Sequence, residues 1–158
     1  PCNALWSKDS KFVITYKLDE RNVKDLYLVQ NVVAGDNMRP VLHKYKFPFP
    51  EDPELATSEY YIVNVEEKSI VKSDMEKNLI QAEEPICGIC NRVIWSEEGN
   101  KFIAYTISRD YKTANFYEVD RASGKSRLIF VEKADTFLFF EFSAMKNGVD
   151  PSNDPRCK

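Results

Sequence analysis

One turn occurs twice in this chain, and it limits what the chain can fold into. Leu5-Trp6-Ser7-Lys8-Asp9-Ser10-Lys11-Phe12-Val13 matches Ile94-Trp95-Ser96-Glu97-Glu98-Gly99-Asn100-Lys101-Phe102-Ile103. Both read as strand, Trp-Ser, acidic turn, Lys-Phe, strand, with one residue inserted in the second copy. Tyr61-Ile62-Val63-Asn64-Val65-Glu66-Glu67-Lys68-Ser69 likewise echoes Tyr117-Glu118-Val119-Asp120 followed by Gly124-Lys125-Ser126. Leu26-Tyr27-Leu28-Val29 falls where Phe116-Tyr117-Glu118-Val119 falls in the second copy. The Trp-Ser segments start about 90 residues apart, and propeller blades run about 40–50 residues each. Two blade periods fit that gap once a proline-rich insertion is counted.

The intervening sequence supplies the strands. Lys11–Leu18, Leu26–Val29, Tyr60–Val65, Lys101–Ile107, Asn115–Val119, Arg127–Val131 and Thr136–Phe142 are rich in β-branched and aromatic residues. Lys8-Asp9-Ser10, Glu97-Glu98-Gly99-Asn100 and Arg121-Ala122-Ser123-Gly124 carry turn chemistry between them. Phe47-Pro48-Phe49-Pro50-Glu51-Asp52-Pro53 reads as a long irregular connection, because each proline removes a backbone donor that a central strand needs. Ser73 to Glu84 has a Ser/Asp cap and good helix formers, but its apolar stripe is thin. The fold class is therefore all-β: a partial β-propeller of about two to three antiparallel four-stranded blades. A β-sandwich with coincidentally similar hairpins is the alternative. Residues 1–142 form the propeller part, and 143–158 read as a polar segment connecting to a next blade. Only 5 glycines in 158 residues is few for so many turns.

Composition excludes several classes. With 43% hydrophobic and 13% aromatic residues the chain can bury a core, so wholesale disorder is excluded. Lys and Arg total 22 against 25 Asp and Glu, a formal charge of −3 that argues against a nucleic-acid partner. No apolar run approaches the roughly 20 residues of a membrane helix. No basic and apolar leader opens the sequence at Pro1, which reads as an intracellular protein or a processed piece of an exported one.

The cysteines are Cys2, Cys87, Cys90 and Cys157. Cys87-Gly-Ile-Cys90 as a zinc half-site lacks a second pair, so no metal or cofactor is expected. As a redox motif it should open a helix, whereas β-like Asn91-Arg92-Val93-Ile94-Trp95 follows it. Small buried residues, or a local disulfide between Cys87 and Cys90, are favoured over a redox or metal site on an unrelated β domain.

An ordered series of motifs then carries a resemblance. Ala4-Leu5-Trp6-Ser7-x-Asp9-Ser10-Lys11 is followed by Asp19-Glu20-Arg21-x-Val23, Arg39-Pro40 and Tyr45-Lys46-Phe47-x-Phe49-Pro50. Tyr60 to Lys68, Trp95-Ser96-x-x-Gly99-Asn100, Ser108-Arg109-Asp110, Asp120-x-x-Ser123-Gly124-Lys125 and Glu132-x-x-Asp135-Thr136 complete it. In that order and spacing the chain resembles the N-terminal β-propeller of dipeptidyl peptidase IV, in the prolyl oligopeptidase family, over about Asn3 to Phe142. Lys8 and Glu97 replace the proline usual at such Trp-Ser turns.

The resemblance implies a propeller joined to an α/β-hydrolase domain bearing Ser, Asp and His. This sequence has no Gly-x-Ser-x-Gly elbow, and Gly124-Lys125-Ser126-Arg127-Leu128 has the wrong flanks within an expected hairpin. Its single histidine, His43, lies beside Lys44 and Lys46 in the irregular connection and reads as a surface or packing residue. No catalytic residue is therefore expected. The family's substrate-binding glutamate pair, in an Asp-Trp-x-Tyr-Glu-Glu segment, should precede Pro1. The pairs present, Glu66-Glu67, Glu83-Glu84 and Glu97-Glu98, read as solvated turns.

The implied function is a non-catalytic propeller fragment of a serine exopeptidase, helping to form the chamber that gates and positions short peptides. The alternative is a propeller-like protein- or glycan-binding module with no peptidase. Implied partners are the hydrolase domain of the same parent chain and short peptides, in a periplasmic or secreted location. Self-association through uncovered blade faces is expected of an isolated arc of blades.

Overall fold

The computed structural model describes residues 4–32, 39–80 and 93–138. Among the described residues eleven strands and no helix occur: β1 (Ala4–Trp6), β2 (Phe12–Asp19), β3 (Asp25–Gln30), β4 (Val41–Lys46), β5 (Ala56–Asn64), β6 (Ser69–Lys72), β7 (Asn78–Ile80), β8 (Val93–Trp95), β9 (Lys101–Ile107), β10 (Thr113–Asp120) and β11 (Ser126–Lys133). They form two antiparallel blades and one detached hairpin. The first blade has the order β1-β2-β5-β6, with β7 also on β5. β6 pairs Tyr61–Asn64 and β7 pairs Ala56–Ser58, so the two short strands act as one interrupted outer strand. The second blade has the order β8-β9-β10-β11.

Strand alternation decides how the blades meet. Along β5, Ala56, Ser58, Tyr60 and Ile62 are buried while the residues between them are half-buried. That face joins Leu5, Ile14 and Met75 against Val93, Phe102, Ala104 and Val119 of the second blade in one core, flanked by Phe12, Tyr16, Trp95 and Tyr117. Phe102 is fully buried and meets Trp95 edge-on, with ring centroids 5.7 Å apart. A smaller cluster of Ile107, Ala114 and Leu138 closes the other side of the second blade, where Tyr111 stacks on Phe137 at 4.6 Å.

Several sequence expectations are corrected. The Trp-Ser turns have equal length, since Trp6 pairs with Val13 and Trp95 with Phe102, each seven residues on. Phe12 is thus matched by Lys101, and the apparent insertion is a shift of the Lys-Phe dipeptide within one turn. The two turns open adjacent blades, and the extra chain between them includes the β3–β4 hairpin rather than a whole blade. Leu26–Val29 lies in β3 of that hairpin, so the counterpart of β10 is β5. His43 belongs to strand β4 rather than to an irregular connection, because Val41–Lys46 pairs residue for residue with Asp25–Gln30. The thin-striped helix candidate at Ser73 to Glu84 is not realised over 73–80, where Ser73–Lys77 is an irregular crossing and Asn78–Ile80 is strand, in keeping with the all-β reading; 81–84 lie outside the described residues. Thr136, Phe137 and Leu138 are not strand. The remainder of that segment, together with residues 143–158, lies outside the described residues.

The scarcity of glycine has a local explanation. Ser7, Ser96 and Ser108 begin three turns of one design. Each serine N–H donates to the carbonyl five residues on, and each hydroxyl accepts from the amide of that residue, Phe12, Lys101 or Thr113, at 3.0, 3.3 and 2.9 Å. The third residue after each serine is left-handed: Ser10 (φ 58), Gly99 (φ 69) and Tyr111 (φ 56). In the β5–β6 and β10–β11 turns the left-handed position falls four residues after Asn64 and Asp120, at Lys68 (φ 54) and Gly124 (φ 70). Side-chain caps supply the missing organisation: the Asn64 carbonyl accepts from the amides of Glu66 and Glu67, and the Asp120 carboxylate from that of Ser123. Three of these five left-handed positions are not glycine, at a cost of roughly 1 kcal/mol or more each.

Lys68→Gly should therefore raise stability in urea by up to about 1 kcal/mol, the relief of φ strain exceeding the added unfolded-state entropy. Gly124→Ala should do the opposite. A Cβ there would lie 2.6 Å from the Lys72 carbonyl oxygen and 2.8 Å from Val71 Cγ1. A loss of about 2–4 kcal/mol by chemical denaturation is expected.

Candidate functional site

No group of three or more His, Cys, Asp or Glu residues with metal-binding geometry occurs among the described residues. Nor does any helix there reach the length and apolarity of a membrane span. The concentrated polar chemistry among the described residues lies along the seam between the blades, where Arg121, Glu76, Asp74 and Arg109 bridge.

Arg121, at the β10–β11 turn of the second blade, reaches back to the first. Its Nη1 donates to Asp9 Oδ2 at 3.0 Å and to the Gly99 carbonyl at 2.8 Å, and its guanidinium lies over the Phe12 ring at 4.1 Å. One side chain so joins both Trp-Ser turns. Asp9 also accepts from the Ser7 hydroxyl at 2.5 Å and the Lys11 amide at 3.1 Å. The Ser7 hydroxyl, the Lys11 amide and then Arg121 together hold its carboxyl at about 2.

Glu76, in the break of the outer strand, reaches across to β9 and β10. It accepts from Thr106 Oγ1 at 2.5 Å and Asn115 Nδ2 at 3.0 Å. Burial pushes its carboxyl up, but Thr106, Asn115 and Tyr117 as donors outweigh that and hold it below the ordinary value. Tyr117 moves the other way, pushed up to about 12 by burial and by the Glu76 carboxylate. Beside it, Asp74 N–H donates to the Gly124 carbonyl at 3.0 Å and the Asp74 carboxylate accepts from the Ser126 amide at 2.6 Å.

Arg109, in the third serine turn, grips the proline-rich connection. It donates to the carbonyls of Phe49, Pro50 and Asp52. The Asp52 carboxylate accepts from Lys24 Nζ and, at 2.9 Å, from the Phe49 amide. Lys46 Nζ adds a bond to the Val23 carbonyl at 2.7 Å. The base of the β3–β4 hairpin is thereby tied to the proline-rich connection and through Arg109 to the second blade, while Tyr27, Leu28, Val29 and Leu42 farther along it are half or more exposed.

The residues singled out in the sequence fall as follows. His43 bonds Gln30 Oε1 through Nε2 at 2.9 Å and stacks on Tyr45 on the β3–β4 hairpin. Glu66 pairs with Lys11 at 3.1 Å and, with Glu67, sits in the β5–β6 turn. Glu98 accepts from Asn100 Nδ2 at 3.0 Å in the second Trp-Ser turn, which also holds Glu97. These acids therefore occupy turns and are not brought together. Ser126 opens β11 in a hairpin, as its flanks indicate. Glu83, Glu84, Cys87 and Cys90, and with them the local disulfide, lie outside the described residues. The bridging residues were visible only as parts of motifs. Ser108-Arg109-Asp110 was legible as one motif of the series that carries the resemblance, but nothing in it announces that Arg109 spans to carbonyls about 60 residues away.

Four-stranded antiparallel blades stacked face to face through one shared core define a segment of β-propeller. The match to known proteins agrees. The model of the dipeptidyl peptidase IV (DPP IV) N-terminal region matches residues 3–153, and the chain belongs to that family. No curated protein matches the chain. Among solved structures, it is similar to a protein of Bacteroides ovatus ATCC 8483 described as a dipeptidyl aminopeptidase IV, with a TM-score of 0.66 and 12% identity. The match covers 86% of this chain and 18% of that one, and at this identity it shows the fold.

The Asp9 carboxyl titrates lower in the folded state than when unfolded. Its contribution is present above about pH 4 and is lost as pH falls toward about 2. Arg121→Gln should shallow that part of the stability-against-pH curve only in part, because the Ser7 hydroxyl and the Lys11 amide still hold Asp9, and cost about 1–2 kcal/mol at neutral pH through the lost cation–π contact and carbonyl bond. Urea unfolding across the acid range measures both.

Proposed function

We propose that this chain is a non-catalytic propeller segment of a DPP IV-like serine exopeptidase. Its two blades form part of the wall of a chamber that admits and positions short peptides and excludes folded proteins. The observation that carries this reading is the stacked pair of blades in a chain belonging to the DPP IV N-terminal region. The chemistry of the chain supports the division of labour. Its single histidine is engaged with Gln30 on the hairpin. Gly124-Lys125-Ser126 lies in a strand-to-strand turn rather than the strand-to-helix elbow a serine nucleophile needs. Hydrolysis would then reside in an α/β-hydrolase domain of the same parent polypeptide, in a periplasmic or secreted enzyme.

A wall acts through rigidity, and here the seam residues Arg121, Glu76 and Arg109 supply it. In the parent enzyme, Arg121→Ala should leave kcat/KM for a chromogenic dipeptide substrate within about twofold while raising cleavage of longer peptides several-fold. Equal losses on both substrate lengths would contradict a gating role. The alternative, a binding module without a peptidase, predicts a parent reading frame without a Gly-x-Ser-x-Gly segment.

A further inference from the structure

The proline-rich connection is held through its carbonyls. Phe49, Pro50, Glu51 and Asp52 form a tight turn, closed by the Asp52 amide donating to the Phe49 carbonyl at 3.0 Å. Proline stands at the second position, where the fixed φ of its ring suits the turn. Asp52 is buried, and its carboxylate accepts from the Phe49 amide at 2.9 Å and pairs with Lys24. Arg109 closes over this turn from the second blade. It donates to the Phe49 carbonyl at 2.9 Å, the Pro50 carbonyl at 2.5 Å and the Asp52 carbonyl. The Phe49 carbonyl thus serves two donors, and it belongs to the peptide bond that precedes Pro50.

Bonds of this kind isomerise. An unfolded chain holds roughly 10–30% of each residue–proline bond in cis, and interconversion takes tens to hundreds of seconds. Among the described residues no cis peptide bond occurs. A turn that accommodates a cis proline holds it at the third position and not the second. With Phe49–Pro50 in cis, therefore, the Asp52 amide cannot close on the Phe49 carbonyl, and the three carbonyls no longer converge on one guanidinium.

We propose that Arg109 and the Phe49–Asp52 turn form a proline-gated latch. Arg109 closes on the connection when the Phe49–Pro50 bond is trans and is shut out when it is cis. Arg109 lies about 60 residues on, in the turn between β9 and β10, so the latch closes only once the second blade has formed that turn. Chains that reach this point with the cis isomer wait for it to convert. A prolyl isomerase is the partner whose chemistry fits that step. The latch rests on contacts inside the chain and not on the peptidase reading, so either can fail alone.

Double-jump refolding of the full chain tests it, with hydrogen-exchange pulse labelling read by mass spectrometry on peptides covering residues 47–53. After unfolding too brief for isomerisation, protection of the Asp52 amide should return in one fast phase. After prolonged unfolding, roughly 10–30% of molecules should regain it over tens to hundreds of seconds. Adding a prolyl isomerase should speed this slow fraction by about tenfold or more, with no variant needed. Pro50→Ala should cut the slow fraction by about half or more, because a non-proline bond holds almost no cis form. Pro40→Ala should leave it unchanged. In the native state, Arg109→Gln should lower protection of the Asp52 amide by about tenfold while the β9 and β10 amides keep theirs. A missing slow fraction would overturn the latch, as would one that neither the isomerase nor Pro50→Ala alters. So would Arg109→Gln leaving Asp52 protection unchanged, or lowering it equally throughout the second blade.

Discussion

A four-stranded sheet with apolar residues on both faces cannot exist alone in water, and the rest of this structure depends on how that constraint is met. The first blade places Ile14, Tyr60 and Ile62 on one face, and the second places Phe102, Ala104 and Val119 on the opposing one; each set is buried only because the other is present. Truncating a side chain such as Phe102 typically costs about 3–5 kcal/mol, since the surrounding sheets can close the void only in part. Other features follow from this shared core. The outer strand of the first blade breaks at Ser73–Lys77, and the break is where Met75 enters the core while Asp74 and Glu76 bond to the second blade.

The polar bridges specify more than they stabilise. Arg121 ties two turns of the same design, Arg109 orders a segment whose prolines leave few backbone donors, and Glu76 satisfies donors of Thr106 and Asn115 at the edge of the core. The one ion pair among them, Arg121–Asp9, is part-exposed and by itself contributes little energy. The bridges do fix how one blade is rotated against the next, which decides the curvature of a chamber wall.

How much was legible in the sequence can be stated residue by residue. The all-β class, the Trp-Ser turns and the irregular proline-rich connection were readable, because turn chemistry and β-branched runs act locally. The equivalence of Asn64–Ser69 with Asp120–Lys125 was also readable, since both turns need an Asx side chain to cap and a left-handed residue four positions later. Strand β4 was not, because Val41–Lys46 carries His43 and two lysines that suit an exposed ribbon better than a core strand. Lys11-Phe12 and Lys101-Phe102 look equivalent but sit one residue apart, because the number of residues between paired strands sets equivalence and residue identity does not. The third serine turn passed unrecognised because Tyr111 occupies a left-handed position that favours glycine. Long-range bridges have no local signature at all.

The claim on which the whole account turns is that the two blades are one cooperative unit through their facing sheets. Native-state hydrogen exchange on Phe102→Ala tests it most directly. Protection of the β5 amides in the first blade should fall together with that of the β9 and β10 amides in the second, by the same few kcal/mol. If protection fell in the second blade alone and β2 and β5 kept theirs, the blades would be independent, and the shared-core account would be wrong.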